Sequence, residues 1–350
     1  MTIKCGISSE SYEQDNAIIR TKTHWVLLGL LFAILIFLPL IASGFLLGVL
    51  NIIFIYIIAS TGLNILTGYC GQISLGHAAF WGVGAYASAI LSNTYGFPFW
   101  IALPCAVLIT GIIGVILGIP SLRVKGFYLA MSTLAAQFIL FYIFGHWESV
   151  TGAYQGISCP RPRIGNFIFN TEKRYYYLIL TFTILAIYVA KNIARMRTGR
   201  SFIAVRDNDL AAEMMGINLL KTKLTAFFLA SCYAGLAGSL WGHYLTHIFP
   251  GHFDLMQSVW FIGMIIVGGM GTTMGPIFGV IFIKGLEQVS AFITAPLATV
   301  FPMLSAGITA SFVSLVFGAV IILFLAFEPR GIVHRWEIIK ATYRMWPFSY

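Results

Sequence analysis

Charged side chains set inside apolar runs are rare in this sequence, and together with a few polar clusters they bound the chemistry open to it. Lys284 and Glu287 stand three residues apart in one such run. On a helix that spacing puts both on one face, close enough to pair. Charges inside a membrane are costly and face a bundle interior. The expected place for this pair is near the outer end of its helix, where both side chains snorkel to the interface. Gln72, Ser74 and His77 fall in a second stretch, Gly68–Tyr86, which is rich in glycine. Polar, glycine-rich backbone at membrane depth is tolerated only inside protein or along a wet cavity. The stretch is therefore either a close helix–helix seam, since small residues let backbones approach, or a broken helix beside a solute path. Gln72, Ser74 and His77 are the candidate lining of such a path. His77 alone fits a hydrogen-bonded packing residue better than a proton carrier.

Two further stretches stand out. In Val267–Gly279, the glycines Gly271, Gly275 and Gly279 recur every four residues, which on a continuous helix makes one packing ridge. Pro276 favours a break or a helix start there. Gly68, Gly71 and Gly76 are faintly echoed by Gly268, Gly271 and Gly275. Ala194–Lys223 is a long polar connection between apolar runs. Asp207, Asn208 or Asp209 can cap a short helix over Leu210–Met215, with Gly216 as its stop. Ala211, Met214 and Met215 then share an apolar face. Such a helix suits docking into another protein's groove, or lies on lipid headgroups.

Other chemistry finds no constellation. No phosphate-binding GxxxxGK[ST] loop, HExxH or GxSxG motif occurs. Cys5, Cys70, Cys105, Cys159 and Cys232 show no ligand or disulfide spacing, so no metal site is expected. Among twelve acidic residues only Glu287 sits well inside an apolar run, which argues against a relay of buried acids.

The elements that must position these groups are membrane helices. Of 350 residues 59% are hydrophobic and 9% charged, where a soluble domain carries about 25% charge. So few charges cannot dress a water-soluble surface, which excludes a soluble enzyme. The net charge of +9 does not mark a nucleic-acid binder, because its distribution is an orientation signal. A spanning helix needs ~20 apolar residues, and hydropathy places about ten, near 24–42, 45–66, 70–92, 99–119, 127–144, 175–193, 224–244, 257–270, 276–292 and 305–327. With the N-terminus inside, Arg161, Arg163, Lys173 and Arg174 are the basic residues of the outer loops. The rest outside the spans fall on inner segments, as the positive-inside rule requires of an N-inside, C-inside chain. The fold expected is all-α and polytopic: an inner segment 1–23, a membrane domain 24–327 with the inner loop 194–223, and an inner tail 328–350. An uncleaved first helix is expected.

Taken together, these stretches resemble the permease subunits of bacterial branched-chain amino-acid ABC importers, of the LivM type. Gly68–Tyr86 carries GxxGQxSLGHAAFxGxGAY and Gly199–Asn218 carries GRxxxAxRDNDxAAExMGIN. Lys223–Phe227, Ala234–Gly238, Gly268–Gly271 with Gly275-Pro276, and Phe327–Gly331 continue the likeness, which covers roughly 45–335. The resemblance implies an inner-membrane transport subunit, not an enzyme. It implies a LivH-like permease, two cytoplasmic ATPase subunits carrying the ATP and magnesium, and a periplasmic binding protein as partners, with membrane lipid around the spans. It makes the inner loop a coupling helix contacting the ATPase through Arg206, Asp207, Asp209, Ala211, Ala212 and Gly216. Ala211, Ala212 and Gly216 hold the offsets of the family's EAA…G loop, with Leu210 in place of its glutamate. Trp260 departs from a glutamate common among relatives. Related importers for urea, short amides or small carboxylic solutes are the alternative, and an ion-coupled carrier acting alone is a third reading.

Overall fold

The computed structural model describes residues 22–122, 126–164, 167–300 and 305–345. Cys5, most of the inner segment 1–23, and the basic residues Arg123 and Lys125 lie outside these. The protein is an all-α polytopic membrane protein. Its helices are α1 (Lys22–Ile41), α2 (Gly44–Leu63), α3 (His77–Asn93), α4 (Phe99–Ser121), α5 (Phe127–His146), the single turn α6 (Glu148–Thr151) and α7 (Glu172–Arg195). Then come α8 (Arg197–Asp207), α9 (Asp209–Met214), α10 (Leu219–Leu245), α11 (Leu255–Gly268), α12 (Gly275–Val300), α13 (Ser305–Phe327) and α14 (Gly331–Met345). Among the described residues, seven helices are long and apolar enough to cross a membrane, or eight if the bent pair 312–327 and 331–343 is one span. Ten spans are thus not all matched by length and hydropathy, although a helix stands near each expected position. α3 has 17 residues, or ~26 Å of rise, short of the ~30 Å hydrocarbon core. The span expected over 70–92 is helical only from His77. α2 runs on through a π-helical turn, Asn64–Tyr69, and α3 starts only at His77.

The chain divides into two compact units, Met1–Val49 and Leu50–Tyr350. In the first, α1 exposes Trp25, Leu27, Leu31, Ile34 and Phe37, as a helix apolar all round does in lipid. In the second, α10 packs against α3 and α4. α3 and α10 cross where Gly84 meets the backbone of Gly235, so no Cβ fits between them. Trp81, Phe227, Phe253 and Phe261 fill this core.

At one end of the second unit, β1 (Ile157–Ser158) pairs antiparallel with β4 (His247–Ile248), while β2 (Arg163–Ile164) and β3 (Phe167–Ile168) form a small hairpin. His243 fastens this end. Its Nδ1–H donates to Pro160 O at 2.6 Å, leaving Nε2 to accept from Ser88 Oγ at 2.8 Å. The buried Cys159 beside it has its thiol pKa pushed up by burial, as for an unreactive cysteine.

Candidate functional site

Two breaks in the membrane helices meet at the opposite end. The first follows the π-turn of α2 and spans Cys70–Gly76; the second separates α11 from α12 over Gly269–Met274. Gly71 lies in the first break and Gly271 in the second, and both have left-handed backbone, φ 71° and 76°. That conformation suits glycine. Asn64 clasps one break to the other. Its Nδ2 donates to Thr272 O at 2.8 Å, and its Oδ1 accepts from Gly271 N at 2.9 Å. The approach is close enough that a Cβ on Gly68 would overlap Asn64 and Gly271. The glycine echo in the sequence is therefore a contact in space.

The start of α3 lies buried, and other helices satisfy its amides. Leu75 N donates to Thr133 Oγ1 at 3.0 Å, Ala78 N to Ser258 Oγ at 2.9 Å and Ala79 N to Gln137 Oε1 at 2.8 Å. Gln137 Nε2 in turn donates to Phe253 O at 2.8 Å. Ser74 and His77 belong to this saturated core. Ser74 Oγ accepts from Gly76 N, and His77 donates from Nε2 to Ala59 O at 2.8 Å, edge-on to Phe261. Gln72 stands apart. It lines a cavity of about 360 Å³ together with Cys70, Arg206, Asp207, Asp209 and Lys223. The structure thus separates Gln72 from Ser74 and His77. Nothing in the sequence marks Thr133, Gln137 and Ser258, which hold the α3 start, because each is one uncharged polar residue in an ordinary apolar helix.

The connection 194–223 contains more helix than its sequence suggests. α8 buries Gly199, Phe202 and Val205 on one face. Asn208, between α8 and α9, is the cap of α9, its Oδ1 accepting from Ala211 N at 3.0 Å. Gly216 follows α9 with φ 81°. Arg206 closes α8, pairs with Asp207 at 2.9 Å and donates from Nη1 to Gly68 O at 3.0 Å. Its guanidinium also lies beside Gly271, so it touches both breaks. Asp209 opens α9 at the cavity rim. Leu210, Ala211, Met214 and Met215 are exposed, and Met214 reaches 89%. Ala212 is 4% exposed and faces its own chain.

Two expectations change. Gly271 is not on a helix, so Gly271, Gly275 and Gly279 form no single ridge. Gly275 and Gly279 belong to α12 and abut Gly269 O and Met264 O at the end of α11. The cause is Pro276, which sits at the first turn of α12 and marks its start. Lys284 and Glu287 do not lie near a helix end. α12 continues to Val300, which leaves them at the middle, with Lys284 Nζ 4.0 Å above the Tyr56 ring.

A family profile described as "Branched-chain amino acid transport system / permease component" matches residues 45–325. The chain belongs to this family. Over 253 residues it is 31% identical to the high-affinity branched-chain amino acid transport system permease protein LivM of Salmonella typhimurium, covering 65% of this chain and 60% of that protein. It is 30% identical over 269 residues to LivM of Escherichia coli, covering 70% and 63%. A probable LivM of Methanocaldococcus jannaschii is 22% identical over 324 residues, covering 81% and 92%. The chain thus spans less than two thirds of the first two relatives' length. No solved structure matches it. As a member of this permease family with seven apolar helices of spanning length among the described residues, it is a multi-pass protein of the inner membrane.

Proposed function

We propose that this chain is the permease subunit of an ATP-binding cassette importer, forming half of a pathway for branched-chain or other hydrophobic amino acids. The observation that carries this reading is Arg206. It ties the end of α8, which leads into the exposed helix α9, to the π-turn before the first break through Gly68 O, and lies against Gly71 and Gly271 in the two breaks. A force applied at α9 therefore reaches the two places where the membrane helices are already interrupted.

The partners are a LivH-like permease, two cytoplasmic ATPase subunits that hold ATP and magnesium, and a periplasmic binding protein. This chain supplies neither a nucleotide site nor an enzymatic activity, and it binds no nucleic acid. The topology is ten spans with both termini inside, an inner segment 1–23, a membrane domain 24–327 and an inner tail 328–350. This agrees with the inner loop 194–223 and the two breaks lying at one end of the bundle. ATP-driven closure of the ATPase subunits pushes on Asp207–Gly216. Arg206 passes the displacement to the breaks, and the helices rock to open the cavity at Gln72 inward. A zwitterion cannot cross dry lipid, so the pathway supplies its polar partners.

The test is co-purification followed by reconstitution. Leucine uptake into liposomes should require ATP, the two ATPase subunits and the binding protein. Uptake by this chain alone under an ion gradient would overturn the reading in favour of a secondary carrier.

A further inference from the structure

In the seven candidate spans, Lys284 and Glu287 are set apart from every other Asp, Glu, Lys or Arg, which lie in the end turns. Val280, Ile283, Ser290 and Thr294 are buried on one side of α12, while Ile281, Val289, Phe292 and Ile293 are exposed on the other. The 3.6-residue period puts Glu287 in the middle of the buried side. Its side chain is nonetheless 42% exposed, against 14% for Lys284. A carboxylate facing inward at mid-span yet open is a functional mark, since lipid does not tolerate it. It also borders a crevice walled by Trp260, Leu286, Val313 and Phe317.

We propose that Lys284 and Glu287 bind the solute: Glu287 takes the ammonium of an amino acid, Lys284 its carboxylate, and the Trp260–Phe317 crevice its apolar side chain. The proposal rests on the permease reading above. In this conformation Lys284 Nζ donates to Glu287 Oε2 at 2.7 Å, so each charge substitutes for the solute group the other would bind. A zwitterion brings one charge of each sign, and exchanging it for the internal pair leaves neither residue unpaired at mid-membrane. The Tyr56 ring holds the ammonium of Lys284 while Glu287 turns to the solute. The crevice holds only about 10 Å³, with Trp260 stacked on Phe317 at 3.8 Å. The apolar crevice is therefore closed here and fills only when α11 and α13 part, while Glu287 at its edge stays exposed.

The experiment uses the full importer complex in liposomes. Glu287→Cys and, as a control on the opposite side of the helix, Val289→Cys are treated with a charged methanethiosulfonate, and the modified residue is located by mass spectrometry. These reagents attack thiolates in water, so position 287 should be modified and position 289 spared, with leucine and binding protein slowing modification at 287 several-fold. Glu287→Gln, which keeps shape, should still assemble with its partners while its KM for leucine uptake rises about 30-fold. Absence of modification at position 287 in the Glu287→Cys complex would overturn the proposal, whatever the uptake result. So would modification indifferent to leucine together with unchanged uptake in Glu287→Gln. Loss of ATP-dependent uptake in the unmutated complex would instead count against the permease reading, because the labelling arm needs no transport.

Discussion

Arg206 donates to the carbonyl oxygen of Gly68 at 3.0 Å, joining residues 138 positions apart in sequence. The carbonyl belongs to the π-turn at the end of α2, where the helical ladder stops and an acceptor is left over. A charged donor at that place both satisfies the acceptor and binds the connection 194–223 to the membrane segment.

Arg206→Ala should therefore uncouple the complex without dissolving it. Loss of one charge-assisted hydrogen bond is worth ~1.5–3 kcal/mol, which corresponds to a ~10–100-fold fall in uptake per ATP hydrolysed if it acts in the power stroke. Arg206→Lys should recover part of the loss, since a lysine can still donate. Uptake and ATPase rates measured on the same vesicles decide this, and tight coupling in Arg206→Ala would remove the strut role.

Asn64→Ala should loosen both breaks together. It removes the two hydrogen bonds to Gly271 N and Thr272 O, leaving a part-buried donor and acceptor at a cost of ~2–4 kcal/mol. Thermal unfolding in detergent should shift down by several degrees. Asn64→Asp keeps the acceptor for Gly271 N and loses the donor to Thr272 O, so it should fall at least as far once its charge is counted. An unchanged unfolding temperature in both would mean the clasp carries no stability.

Docking of the ATPase should be read at Met214 rather than at Ala212. Met214 is 89% exposed and Ala212 4%. Met214→Asp should leave the fold and membrane insertion intact and lower the ATPase recovered per permease at least tenfold. Ala212→Asp buries a carboxylate within the chain and should disturb α9 itself. Gly216→Val opposes φ 81° and should cost ~1–2 kcal/mol locally. Full ATPase recovery with Met214→Asp would place the contact elsewhere.

Topology follows from two reporters. A fusion after Gly199 should read cytoplasmic, and one at Gly156 periplasmic. Gly199 lies in α8 and Gly156 beside β1, at opposite ends of α7. If both report one side, the orientation given to α7 is wrong.

Much of this protein was legible from its residues in order. Apolar runs placed helices close to their observed positions, because a segment that must satisfy its own backbone in lipid has few choices but to be helical. The stop of α9 at Gly216 was legible too, and its cap was narrowed to Asp207, Asn208 or Asp209, of which Asn208 makes the bond, since caps and stops act on the backbone within a few residues of themselves. The break before His77 was open to two readings, as glycine both packs and bends. What only the tertiary structure decided were meetings between distant residues. Asn64 reads as one polar residue in an apolar run, and nothing local says that it holds Gly271 and Thr272. Arg206 reads as one base in a basic loop, and its acceptor exists only because α2 ends in a π-turn beside it. Gly271 looked helical by spacing, until the backbone at Gly269 and Gly271 turned left-handed and Pro276 began α12 beyond it. Lys284 looked close to a helix end until α12 proved longer than its hydrophobic run and set the pair against Tyr56. Hydropathy reports how each segment meets lipid, whereas these contacts depend on how helices meet one another, which their separate sequences do not encode.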